Sequence, residues 1–261
     1  MTVPSEIQDL IDSSGNNFHA KVAQWFVADG WEIQISPYYL DQTQQKAREI
    51  DLVAEKAWPF KTGFGQHEGY VLVRLYIECK FVPSHAVFWF AEKARREAEE
   101  LVHSYPGFTP NNTYTAQHHY LAQSTRVAKL FTSSQNKQQE TDLFYKALNQ
   151  ILSAYVAFRY QPFRSEHRAA KLHGKLLSLT YPAVVCSSFS KLFAADFLGK
   201  LQTSPQNENF QLEVRYAYGE SSSTQRNEYF LVDFVSYDQL KDFTQAIEND
   251  VNAAITLNAS Y

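Results

Sequence analysis

The chain has 261 residues, 44% of them hydrophobic and 15% aromatic with 16 Tyr and 19 Phe, which provides for a sizeable core and excludes an intrinsically disordered protein. A formal net charge of −4 argues against coating nucleic acid along the whole surface, although a local basic patch fits that balance. The two cysteines, Cys79 and Cys186, have neither zinc-site nor disulfide-framework spacing. No apolar run nears the roughly 18 residues of a membrane span, and the N-terminus lacks a signal-peptide pattern, so the expectation is a cytoplasmic protein with no membrane segment.

Phe18, Val22, Trp25 and Phe26 repeat at helical spacing, Ser13 or Ser14 is available as N-cap and Gly30 as a stop, so a first helix is expected over 15–29. Residues 31–36 alternate as a strand with Trp31, Ile33 and Ile35 inward, and 37–46 read as its continuation and a polar connection. Two further strands follow. In the first, Ile50, Leu52 and Ala54 point one way, and Glu49, Asp51 and Glu55 the other. In the second, Val71, Val73, Leu75, Ile77, Cys79 and Phe81 form an apolar face, and Leu72, Arg74, Tyr76, Glu78 and Lys80 a mixed one. Between them, 56–69 read as a long glycine-containing loop. Its Trp58, Phe60, Lys61 and Phe64 either contact bases and phosphates or fold onto one another.

If the two strands bury their apolar faces together, Asp51, Glu78 and Lys80 share one surface. Two carboxylates and a lysine suit metal-assisted phosphodiester cleavage: the carboxylates hold Mg²⁺ or Mn²⁺, and the lysine polarises the phosphate or the attacking water. Ile50-Asp51 followed by Ile77-Glu78-Cys79-Lys80 resembles the PD-(D/E)xK motif of the restriction-endonuclease-like nuclease superfamily, over roughly residues 15–103. The resemblance implies an α/β fold with an αβββαβ core. It also implies Asp51, Glu78 and Lys80 as catalytic residues, Asp51 and Glu78 with the Cys79 carbonyl as metal ligands, and DNA as substrate in restriction, defence or repair. An endonuclease is the expected form. Family members commonly carry Phe-Glu-x-x-Val in the first helix, whereas this chain has Phe18-His19-Ala-Lys-Val22. His19, at that helix position, and Glu49, on the same strand face as Asp51, are secondary site candidates, and a degenerate nuclease fold acting as a nucleic-acid-binding or partner-dependent module is the alternative.

Farther on, a helix is expected over about 89–103, with Arg95 and Arg96 as candidate phosphate contacts, then irregular chain over 104–124. The adjacent His118 and His119 cannot face the same way on a helix or strand, which argues against a shared metal site. Helices are expected at 121–131 and 141–158. Arg159, Arg164, Arg168, Lys171 and Lys175 form a basic run with one acid, Glu166, and are the candidate nucleic-acid contact or else a basic linker. Strand signals return at 181–186, 191–195, 210–216 and 229–235. A closing helix is expected over 238–255, behind a Ser236-x-x-Gln239 capping box. With no linker or repeat, the chain reads as a single domain: core motif region 15–103, helical insertion about 104–175, and C-terminal strands and helix 176–261. A homodimer and a separate partner subunit both remain open.

Overall fold

The computed structural model describes residues 5–41, 45–62, 67–133, 143–159, 161, 175–199, 203–221 and 224–259. A short helix that the sequence reading did not anticipate, α1 (Ser5–Ser13), precedes α2 (Gly15–Ala28). The Ser14 side chain accepts from the Asn17 N–H, and Gly30 at φ +83° carries the chain out of α2, as the capping pattern requires. Strand β1 (Glu32–Ile35) follows. Trp31 is buried and Ile33 packs against the core, but Ile35 is exposed, because β1 is an edge strand. The expected continuation and connection is instead a separate hairpin, β2 (Tyr38–Asp41) and β3 (Lys46–Glu49).

Strands β4 (Leu52–Thr62) and β5 (His67–Lys80) pair antiparallel from Leu52 opposite Ile77 to Thr62 opposite His67. Most of the expected 56–69 loop is therefore ladder. Phe60 is buried, and Trp58 stands edge-on to Trp31 at 5.7 Å with Lys56 over both rings, so these two aromatics pack internally. Lys61 is in β4 and exposed; Phe64 lies outside the described residues.

Residues expected to open a helix near 89 form strand β6 (Ala86–Glu92), and the helix α3 is confined to Arg95–His103. Two four-residue helices, α4 (Thr113–Ala116) and α5 (His119–Ala122), lead to β7 (Arg126–Ser133), where a helix was expected. The β-branched and aromatic residues of Val87–Phe90 and Val127–Phe131 pair with each other, and tertiary pairing overrides the weaker local helical signal. The segment read as a helical insertion thus contributes a strand to the sheet. The chain continues as α6 (Leu143–Phe158), β8 (Lys175–Cys186), β9 (Leu192–Asp196), β10 (Thr203–Pro205), β11 (Phe210–Ser221), β12 (Thr224–Ser236) and α7 (Leu240–Ala259), the last entered through a 3₁₀ turn at Tyr237–Gln239. The capping box does not form: Ser236 makes no side-chain cap, and Gln239 donates to Asn207 O.

One ten-stranded mixed sheet runs in the order β1-β4-β5-β8-β12-β11-β7-β6-β9-β10. The meander β1-β4-β5 is antiparallel, and β8 returns parallel to β5 after α6. Helices α2, α3, α5 and α7 bury their apolar stripes on one face with Leu52, Val73, Leu75 and Ile77, while α6 covers the other with Val53, Tyr76, Val184 and Phe234. The mixed face of β5 is therefore not a surface. Leu72 is fully buried, Tyr76 packs on Tyr155 and Phe158 of α6, and Arg74 is paired there with Glu55 at 2.7 Å while donating to Phe158 O and Gln161 O at the end of the helix. Ile50 also differs from expectation. The chain bends at Asp51, so Ile50 packs in the α6 layer and not with Leu52 and Ala54.

Candidate active site

At the C-terminal end of β5 the ladder with β4 stops at Leu52 opposite Ile77, leaving the next pair of residues to be joined by side chains. The Asp51 N–H donates to Glu78 Oε1 at 3.3 Å, and the Cys79 N–H donates back to Asp51 Oδ2 at 2.7 Å. Lys80, two residues beyond Glu78 on the same face, places Nζ 2.5 Å from Glu78 Oε2 and 3.8 Å from Asp51 Oδ2. The bend that presents Asp51 is held from both sides by Ser36 N–H to Asp51 O at 2.8 Å and by Ile50 N–H to Pro37 O at 3.3 Å, with Ser36 itself in the left-handed region at φ 51°. Gln150 of α6 also donates to Glu49 O and receives the Tyr39 hydroxyl on its own carbonyl, docking the β2-β3 hairpin beside the site.

Access to this triad is graded. The side chain of Glu78 is wholly buried, that of Lys80 is 13% exposed and that of Asp51 24% exposed, so Asp51 and Lys80 form the mouth and Glu78 the floor. Burial pushes the Glu78 carboxyl up to about 7, with Lys80 pulling it back and the Asp51 charge pushing it further. Burial works against the Lys80 ammonium as well, but Glu78 and Asp51 outweigh it and hold that group charged. A buried carboxylate beside a second one, with one ammonium between them, is short of positive charge. Among the described residues, Asp51 Oδ1 accepts no hydrogen bond. Hard oxygen donors with spare negative charge fit a hard divalent cation such as Mg²⁺.

The secondary candidates fall as follows. His19 lies on α2 with a buried Nε2 that has no hydrogen-bond partner. Glu49 ends β3, opposite Tyr38. In the basic run, Arg159 donates from Nη2 to both carboxylate oxygens of Glu228 at 2.8 and 2.9 Å, and Lys175 donates to Asn258 at 2.9 Å, so both are committed within the protein. Arg164, Arg168 and Lys171 lie outside the described residues. Arg95 and Arg96 pair with Glu99 and Glu100 along α3, as solvated i,i+4 pairs do.

A second polar cluster, on the opposite face of the sheet, was missed in sequence. His118 caps α5 and His119 opens it, so the two rings stack at 5.2 Å and both approach Asp250 of α7. Adjacent histidines do converge, because a helix N-terminus breaks the alternation assumed for them. His119 is clamped by Asp250 on Nδ1 at 2.5 Å and by Asp233 on Nε2 at 3.3 Å. Against burial, these two charges raise it to about 9. Burial, opposed by Asp250, drives His118 down to about 3. Asp250, opposed by burial, is held below the usual carboxylate range by both histidines.

Ligand atoms of His118, His119 and Asp250 lie within 4.8 Å of one another, but this arrangement does not suit a metal. Both His119 nitrogens face carboxylates, and His118 Nδ1 accepts the Tyr120 N–H, which leaves the ring proton on the Nε2 that faces Asp250. A sequence signal for the cluster existed: Asp250 sits on the otherwise apolar stripe of Leu240, Phe243, Ile247 and Val251, and a carboxylate there demands a buried partner.

Comparison of the chain with protein-family models, curated proteins and solved structures gives no match.

Proposed function

We propose that the protein is a metal-dependent nuclease that hydrolyses phosphodiester bonds in DNA, with Asp51, Glu78 and Lys80 as its catalytic residues. The observation that carries this reading is the convergence of these three side chains at one strand end, Lys80 Nζ lying 2.5 Å from Glu78 and 3.8 Å from Asp51. The order α2-β1-β4-β5-α6-β8, with an antiparallel meander and a parallel return beside β5, supports assigning these elements to a restriction-endonuclease-like αβββαβ core.

Asp51 and Glu78, with the Cys79 carbonyl between Glu78 and Lys80, would hold the divalent cation. When bound, that ion neutralises charge developing on the phosphate and lowers the pKa of the attacking water. Lys80, freed from Glu78 by the added positive charge, would turn its ammonium to a phosphate oxygen. Asp51, the most exposed of the three, would meet the substrate first and orient the water through its unoccupied Oδ1. Glu78, buried and uncharged at low pH, would act only in its ionised form.

A second reading, a degenerate nuclease fold that binds nucleic acid or a partner without cutting, draws support from His19 in place of a helix glutamate. The test incubates the full chain with supercoiled plasmid, linear duplex and single-stranded DNA in Mg²⁺, Mn²⁺ or EDTA, beside Asp51→Asn, Glu78→Gln and Lys80→Ala. Metal-dependent cleavage lost by at least a hundredfold in all three variants is expected. Equal behaviour of wild type and variants would overturn the assignment and favour the binding module.

A further inference from the structure

A cleft of about 1380 Å³ opens on the face of the sheet opposite Glu78. Its floor is a cross-strand pair, Gln211 of β11 beside Asp233 of β12, with His119 above them. Asp233 is in register with Ala183 of β8, which is in register with Ile77 of β5. Ile77 and Glu78 are consecutive and point to opposite faces, so the cleft and the Asp51–Glu78–Lys80 site are separated by the sheet itself and by about 10 Å of strand spacing.

The chemistry of the walls is one-sided. Four carboxylates line the cleft, from Asp196, Glu208, Asp233 and Asp242, against two cationic residues, Arg126 and His119. Both cations are already paired: Arg126 with Asp196 at 3.0 Å, and His119 between Asp233 and Asp250. Several of the wall carboxamides already donate within the protein. Gln123, Gln206 and Gln239 each give Nε2 to a backbone carbonyl, and Asn209 gives Nδ2 to Gln239 O. Gln211 gives Nε2 to His119 O, Gln123 Oε1 and Asp233 Oδ1. Glu208 and Asp242 add exposed carboxylates to the wall. Gln211, only 3% exposed, has an Oε1 with no hydrogen-bond partner among the described residues. A buried acceptor left unmade is costly, and a ligand N–H would satisfy it. Phe90, Phe210 and Phe243 add apolar wall for a hydrocarbon body.

We propose that this cleft binds a small organic cation, whose ammonium or guanidinium N–H groups are received by Gln211 Oε1 and the wall carboxylates, with its aliphatic part against the phenylalanines. A phosphorylated ligand is disfavoured by the same carboxylates. The site is separate from the proposed nuclease centre and does not depend on it.

The test titrates the full chain by calorimetry with agmatine, spermidine, adenosine and adenosine monophosphate. The same titrations are run on Gln211→Leu and on the double variant Glu208→Gln/Asp242→Asn, whose positions are exposed and whose folding is checked by circular dichroism. Saturable 1:1 binding of agmatine or spermidine, with Kd below about 1 mM and weakened at least tenfold in the double variant, is expected. Absence of binding by both cations, binding that the double variant leaves unchanged, or equal or tighter binding of adenosine or its monophosphate would overturn the proposal.

Discussion

The amide N–H of Asp51 donates to Oε1 of Glu78 at 3.3 Å, so the two motif acids are joined through the backbone as well as sharing Lys80. The return bond, Cys79 N–H to Asp51 Oδ2, means that the Asp51 side chain also closes the end of the β4-β5 ladder.

Asp51→Ala and Asp51→Asn should therefore separate stability from chemistry. The alanine leaves the Cys79 N–H without its acceptor and should cost about 1–3 kcal/mol in urea unfolding. The asparagine keeps an acceptor oxygen and should stay within about 1 kcal/mol of wild type. If both variants lose the same stability, the side chain does not serve as the ladder's closing acceptor.

Arg74 and Glu55 face each other across β4 and β5 beneath α6, and Arg74 also binds two carbonyls at the end of that helix. Arg74→Met strands a buried carboxylate and should lose about 3–5 kcal/mol. Adding Glu55→Leu to it should restore most of that loss. Chemical denaturation of the two variants measures the difference; no recovery in the double variant would mean that the helix-end carbonyls, not the ion pair, dominate.

Gly107 adopts φ +88°, and a Cβ there would clash with the Asn258 side chain. Gly107→Ala should lower stability by more than about 1 kcal/mol, from backbone strain together with the clash. Asn258→Ala removes the clash together with the Lys175–Asn258 hydrogen bond, so in thermal unfolding Gly107→Ala should cost less in an Asn258→Ala background than in wild type.

The histidine pair should give stability opposite pH dependences. His119 is raised from 6.5 to about 9 on folding, so its contribution is complete below pH 6.5 and is lost as pH rises through 9. The stability advantage of wild type over His119→Gln should shrink by about 3 kcal/mol between pH 6 and pH 9.5. His118 is lowered from 6.5 to about 3, so the unfolded chain takes its proton first and wild type loses stability as pH falls through that window. His118→Gln should be less acid-sensitive there. Equilibrium unfolding across pH checks both signs, and parallel curves for wild type and His119→Gln would refute the clamp.

Much of the site was legible because it is local. Glu78 and Lys80 lie two apart on β5, so period-two alternation was enough to place them on one face, while Asp51 reaches them from the bend that precedes β4, and helix α2 was marked by its cap and stripe. Alternation states which side a residue faces, not whether another layer covers that side. The sequence reading therefore left Arg74, Tyr76 and Glu78 on a surface, and only the docking of α6 buried them. Strands β6 and β7 were missed for a related reason: short aromatic runs read equally as helix or strand until partners in β9 and β11 are present to pair with them.

By itself, then, the sequence determined most of the apolar faces and helices α2, α6 and α7. Tertiary structure alone decided the His119 clamp, which joins residues 114 and 131 positions apart, and the cleft above Gln211 and Asp233. Such contacts depend on how separate elements stack across the sheet, and no local periodicity in the chain encodes that.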